Sequence, residues 1–105
     1  MDKIINKIDF EEELITNCWK NFVIGDIENA MKLLFQMFSD IELIIAEVNL
    51  IKEKESLSIK VDDIFDIFIC LEEAMKSSNY CLIADLIIYE IKPKIHKWKE
   101  VLLKL

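Results

Sequence analysis

The sequence predicts an all-α fold, an antiparallel four-helix bundle made of two similar helical hairpins in a single helical domain over residues 1–105. Three observations lead there. Apolar residues recur at spacings of three and four along most of the chain, the signature of one face of a helix. One Gly and one Pro leave too few turn formers for strand hairpins or a phosphate-cradling loop. Hydrophobic residues make up 53% of 105 residues, enough for a core and more than so small a domain can hide. The expected helices span about 9–24, 26–54, 61–77 and 80–105.

Residues 1–8, with Ile4, Ile5 and Ile8, read as a short amphipathic lead, helical or frayed. Asp9 followed by Glu12 is a variant capping box and marks the first helix start. Leu14, Ile15, Cys18, Trp19 and Phe22 then share a face. Gly25 supplies the left-handed residue that ends this helix, and Asp26 caps the next one.

The second helix has the cleanest pattern: Ile27, Ala30, Leu34, Met37, Ile41, Ile44, Val48 and Ile51 alternate spacings of three and four, with Met31, Phe38 and Ile45 beside them. A stripe that broad serves more than one neighbour. EKESLSIK, residues 53–60, is the polar connector. The third helix turns Val61, Ile64, Phe68, Leu71 and Met75 inward, with Phe65 and Ala74 beside them. Asp62, Asp63 and Asp66 crowd its start, where carboxylates suit the helix dipole. They fall on different faces, which argues against a metal site.

After a tight turn at Ser77, Ser78 and Asn79, the fourth helix carries Ala84, Ile88, Ile91, Ile95, Trp98, Leu102 and Leu105. These match the stripe of the second helix from Ala30 to Ile51 position for position, so the two hairpins look alike. Two stacked tetratricopeptide-like units are the alternative arrangement. The second helix is too long for that repeat, and a solenoid needs about three. Pro93 interrupts a helical pattern that continues on both sides, so a kink is expected near it.

Charge and composition narrow the function. A net charge of −7 and the absence of arginine oppose nucleic acid as a partner. Cys18, Cys70 and Cys81, without a C-x-x-C pair, read as small buried hydrophobes in a reducing cytoplasm. No transmembrane segment is expected, since acids interrupt every apolar run short of about eighteen residues, and the start lacks a signal-peptide core. The last fifteen residues carry five lysines and one acid in an otherwise acidic chain. They read either as a dipole-matched helix end or as a basic segment docking on an acidic surface. That surface would be Asp9 to Glu13 or Asp62 to Asp66 of another copy, or an anionic membrane.

No catalytic or metal constellation stands out, and no cofactor is expected. His96 is the single histidine, and the position a Glu-x-x-His motif would need is Pro93. Asp85, Tyr89, Lys92 and His96 align on one face, with Asp85 either exposed or buried with a partner. Tyr89 among charges of both signs suits an interface, and Trp98 lies on the inward stripe. His96-Lys97-Trp98-Lys99 loosely resembles the core of histidine phosphotransfer domains, which implies a phosphorylated His96. The small residue that family places next is Glu100 here, whose charge would oppose a phosphoryl group.

The run Asn79-Tyr80, Ala84-Asp85-Leu86-Ile87, Tyr89-Glu90 and Pro93, ending at Trp98, resembles a family of small uncharacterised helical bacterial proteins. Their C-terminal half reads approximately D-Y-x-x-x-A-D-[LI]-[LI]-x-Y-E-x-x-P, with Asn79 here in place of the acid. In setting such proteins are similar to flagellar export chaperones. The resemblance implies a partner-binding role and draws attention to Tyr80, Asp85, Tyr89, Glu90 and Pro93 without assigning them functions. The expected protein is cytoplasmic and not an enzyme: an adaptor or chaperone-like interaction module, forming a homodimer and holding a partner's helix. Tyr80, Asp85, Tyr89, Glu90, Lys92, His96 and Trp98 are the candidate contacts. The alternative is a phosphotransfer protein using His96.

Overall fold

The computed structural model describes residues 2–105, and among them the regular structure is helical throughout. Helices α1 (Asp2–Val23), α2 (Ile27–Glu55) and α3 (Ile64–Lys76) are followed by α4 (Tyr80–Leu86), a π-helical turn (Ile87–Ile91) and α5 (Lys92–Leu103). At about 1.5 Å per residue, the 29 residues of α2 account for the 42 Å long axis of the molecule. α1 packs against α2 and also against α4, the π turn and α5, while α3 packs against α4 and the π turn. α2 and α3 meet through the rings of Phe38 and Phe68.

The α1 boundary corrects the sequence reading, because the helix begins seven residues before Asp9. Ile4 and Ile8 are fully buried and extend the stripe of Ile15, Cys18 and Phe22 by two turns. Burying two isoleucines, at roughly 1.5–3 kcal/mol each, outweighs a local cap worth about 1 kcal/mol. Asp9 and Glu12 are then free to face α5. α2 follows its expected pattern closely: Ala30, Leu34, Met37, Ile41, Ile44 and Val48 are all buried.

The turns form as the residues dictate. Gly25 has φ +84°, and the Asp26 amide reaches back to the Asn21 carbonyl at 2.9 Å while Gly25 reaches Phe22, a Schellman closure. Asp26 then accepts from the Asn29 amide and caps α2. The closure recurs after α3, where Asn79 bonds to the Ala74 carbonyl and Ser78 to that of Met75. Here Ser78, at φ 51°, occupies the left-handed position, and Asn79 caps α4 through the Leu82 amide.

The connector is less polar in structure than in sequence. Ile59 and Val61 are buried, and the Trp98 indole donates to the Lys60 carbonyl at 3.3 Å. α3 starts at Ile64 rather than Val61. Asp63 at its N-cap makes no capping bond; its carboxylate turns to Lys94 instead. Of the three thiols, Cys18 alone is buried, bonding to the Ala30 carbonyl at 3.2 Å, and burial pushes it up to about 12. Cys70 and Cys81 are exposed, contrary to expectation, because they lie off the inward stripes of their helices.

Near Pro93 the helix adopts a different register. The Lys92 amide bonds to the Ile87 carbonyl, five residues back, in the π turn that immediately precedes α5. The wider winding gives the proline ring clearance from the preceding turn. It also changes which residues face inward. Ile83, Ile87, Ile91 and Ile95, each four apart, are completely buried, whereas the expected Ile88 is only partly so. The match to α2 therefore holds at Ala84 and from Ile91 to Leu102, and fails at Ile88, where Ile87 takes the inward place. Leu105 is exposed.

Candidate interaction surface

The basic residues of α5 face acids of the same chain. Lys99 pairs with Asp9, and that hydrogen bond raises the ammonium above the ordinary lysine range. His96 places Nδ1 2.8 Å from Glu12 Oε1 and Nε2 3.3 Å from Glu100 Oε1. Lys92 donates to Thr16 Oγ1 at 2.7 Å, and Thr16 in turn donates to the Glu12 carbonyl. Lys94 bonds to Asp63 at 2.6 Å and holds that carboxyl below its usual range. Acids from both clusters, Asp9 and Glu12 from one and Asp63 from the other, bind the segment within one chain. Lysines engaged in this way have less charge to offer a second copy or an anionic membrane.

The residues singled out in sequence therefore divide. Lys92 and His96 come together beside Glu12, Pro93, Lys97 and Glu100 around a shallow cleft of about 490 Å³. Tyr89 is 69% exposed, and Asp85 and Glu90 face solvent as well. Tyr80 stacks on Phe22 with ring centroids 6.1 Å apart, bracing the end of α1 against the start of α4. Trp98, only 2% exposed, is a core residue that pins the connector and offers no ring to a partner.

A second surface lies between α2 and α3. Phe35, Phe65 and Ile69 are 55%, 46% and 56% exposed around a cleft of about 500 Å³. Its floor is an edge-to-face cluster: Phe38 and Phe68 have centroids 5.2 Å apart, and Phe65 and Phe68 are 6.1 Å apart. Such contacts fix ring orientation and keep the floor ordered. Met75 extends the apolar lining, and Glu42 and Glu72 complete the wall. Sequence reasoning missed this site because Phe35 lies off the inward stripe of α2 and Phe65 was assigned beside the core. The available signal was large apolar residues left over once each stripe had been filled.

Fold and surfaces together define a small all-helical domain with an open aromatic cleft and an acid–base seam closed within the chain. The chain belongs to the family described as Domain of unknown function (DUF8042), whose model matches residues 1–101. No curated protein and no solved structure is significantly similar to it. No helix among the described residues is long and apolar enough to cross a membrane.

Proposed function

We propose that this chain is a non-enzymatic, cytoplasmic interaction module, adaptor or chaperone-like, that holds an amphipathic helix of a protein partner in the α2–α3 aromatic cleft. The observation that carries this reading is the exposure of Phe35, Phe65 and Ile69 around an ordered aromatic floor. An apolar cleft between two helices suits the i, i+3, i+4 anchors of a third. Glu42 and Glu72 in its wall, on a chain of net charge −7, favour lysine or arginine flanking those anchors. The resemblance in setting to flagellar export chaperones points the same way. In this reading the chain is an antiparallel bundle of two hairpins whose last helix bends at the π turn.

A photo-crosslinking amino acid at position 65, used in the native host, tests the proposal. The expected result is a crosslink to a helical segment of another protein bearing basic residues, abolished by Phe35→Ser. A crosslink to a second copy would replace the adaptor reading with self-association. Crosslinks that survive Phe35→Ser unchanged would overturn the cleft as the site. Phosphotransfer through His96 is the weaker proposal: the ring reaches solvent, but Glu12 and Glu100 set negative charge beside both of its nitrogens.

A further inference from the structure

α1 and α2 line a pocket of about 320 Å³, open to solvent, whose wall contains two carboxyl groups, Glu11 and Asp40. Glu11 is the one charged residue buried among the described residues, at 1% exposure, and its Oε2 meets no donor from the rest of the chain; the hydrogen bond open to it is the one a proton makes between it and Asp40. Asp40 Oδ2 is likewise buried and meets no donor from the rest of the chain. Two buried carboxyl groups that meet no donor from the chain are costly unless a proton held between them, or an external cation in its place, satisfies them. Among the described residues Lys7 is the one cation lining the pocket, and Glu47 holds its ammonium at 2.6 Å. Phe10, Leu43 and Ile44 supply apolar wall, and Asn6 and Gln36 supply neutral polar groups.

We propose that this pocket binds a primary ammonium group on a short aliphatic stem, with the ammonium between the Glu11 and Asp40 carboxylates and the stem against Phe10 and Leu43. The volume lies at the lower end of the roughly 300–1,000 Å³ usual for small-ligand pockets, which fits a chain of a few carbons. An ammonium supplies three donors, enough to reach both oxygens in place of the proton they share. A divalent metal fits less well, because no three His, Cys, Asp or Glu side chains converge among the described residues.

Without a ligand, burial first, and then the hydrogen bond and charge of Asp40, raise Glu11 to about 9. At neutral pH the acid pair therefore retains a proton. On α1 the charged neighbour is Lys7, on α2 it is Asp40, and Lys7 is neutralised by Glu47. An incoming ammonium displaces the shared proton to solvent and leaves both carboxylates ionised around it. Binding should release about one proton and strengthen as pH rises toward the Glu11 value.

Calorimetric titration of the full chain with n-butylamine hydrochloride at pH 7.5, in two buffers of different ionisation enthalpy, tests this. The expected outcome is saturable binding with proton release, weakened at least about tenfold in Glu11→Gln and in Asp40→Asn, and not reproduced by 1-butanol. Glutamine copies the shape of protonated Glu11, so an unchanged circular dichroism spectrum separates lost binding from lost folding. Equal binding by Glu11→Gln, equal binding of 1-butanol, or no saturable binding would each overturn the proposal. Nα-acetyl-lysine methylamide serves as a second ligand. Tighter binding than butylamine assigns the ammonium to a partner's lysine, and weaker binding assigns it to a free amine.

Discussion

Replacing Glu11 by glutamine should stabilise the protein at neutral pH and leave it unchanged near pH 4.5. The folded value of about 9 exceeds the ordinary 4.5, so between them the folded state holds a proton that the unfolded state has lost. Stability therefore falls as pH rises through that window, by up to about 1.4 kcal/mol per unit. From 4.5 to neutral the loss comes to about 3 kcal/mol, a large part of the roughly 5–15 kcal/mol that holds a domain together. Glutamine presents the same shape with no proton to lose, and its amide can still donate to Asp40. Urea unfolding followed by circular dichroism at pH 5, 7 and 8.5 measures the effect. The variant's advantage should grow from near zero to about 3 kcal/mol at pH 7 and increase further at 8.5. An advantage independent of pH, or a wild-type stability flat across this range, would show that Glu11 ionises freely and that the buried-acid argument is wrong.

Other consequences are open to simpler tests. Trp98→Phe removes the donor to the Lys60 carbonyl and some core volume, at a cost of about 1–2 kcal/mol, and should open the connector to proteases before the helices unfold. Ser78→Gly should gain about 0.5–1 kcal/mol, because glycine accepts the left-handed conformation that serine holds under strain; thermal melting reads the gain. Gly25→Ala tests the same strain with the opposite sign, since a Cβ there meets nothing within 4 Å and only the backbone conformation opposes it. With a thiol reagent under native conditions, Cys70 and Cys81 should react promptly and Cys18 only after denaturation.

Helix α2 was legible because its stripe alternates three and four over about seven turns, long enough for the period to stand out against apolar neighbours such as Leu33, Phe38 and Ile45. The α1–α2 turn was legible because Gly25 and Asp26 have few other uses in sequence. The α1 start was misread for a physical reason: the Asp9–Glu12 signal is local, whereas the burial of Ile4 and Ile8 depends on partners far along the chain. The π turn was hidden by richness, since Ile87 and Ile88 are equally apolar and only the packed structure chooses between them. The seam partners were identified by charge, but charge alone does not say whether two groups belong to one molecule or two. Glu11 stands three residues after Ile8 and four before Ile15, squarely on the buried stripe, and that misplaced acid was the legible trace of the pocket. Asp40, 29 residues later, carried no such mark.

The seam between α1 and α5 has a consequence for how the chain is made. Lys92, His96 and Lys99 meet partners 76, 84 and 90 residues earlier. At about 5–20 residues per second, a ribosome finishes α1 roughly 4–17 s before the segment that covers it emerges. Throughout that interval Ile4, Ile8 and Ile15 can be sheltered by α2 on one flank only, and a nascent chain stalled before residue 90 carries an uncovered greasy edge. Partial products of this protein should therefore be sticky and short-lived, and the basic segment at residues 91–105 acts as the clasp that ends their exposure.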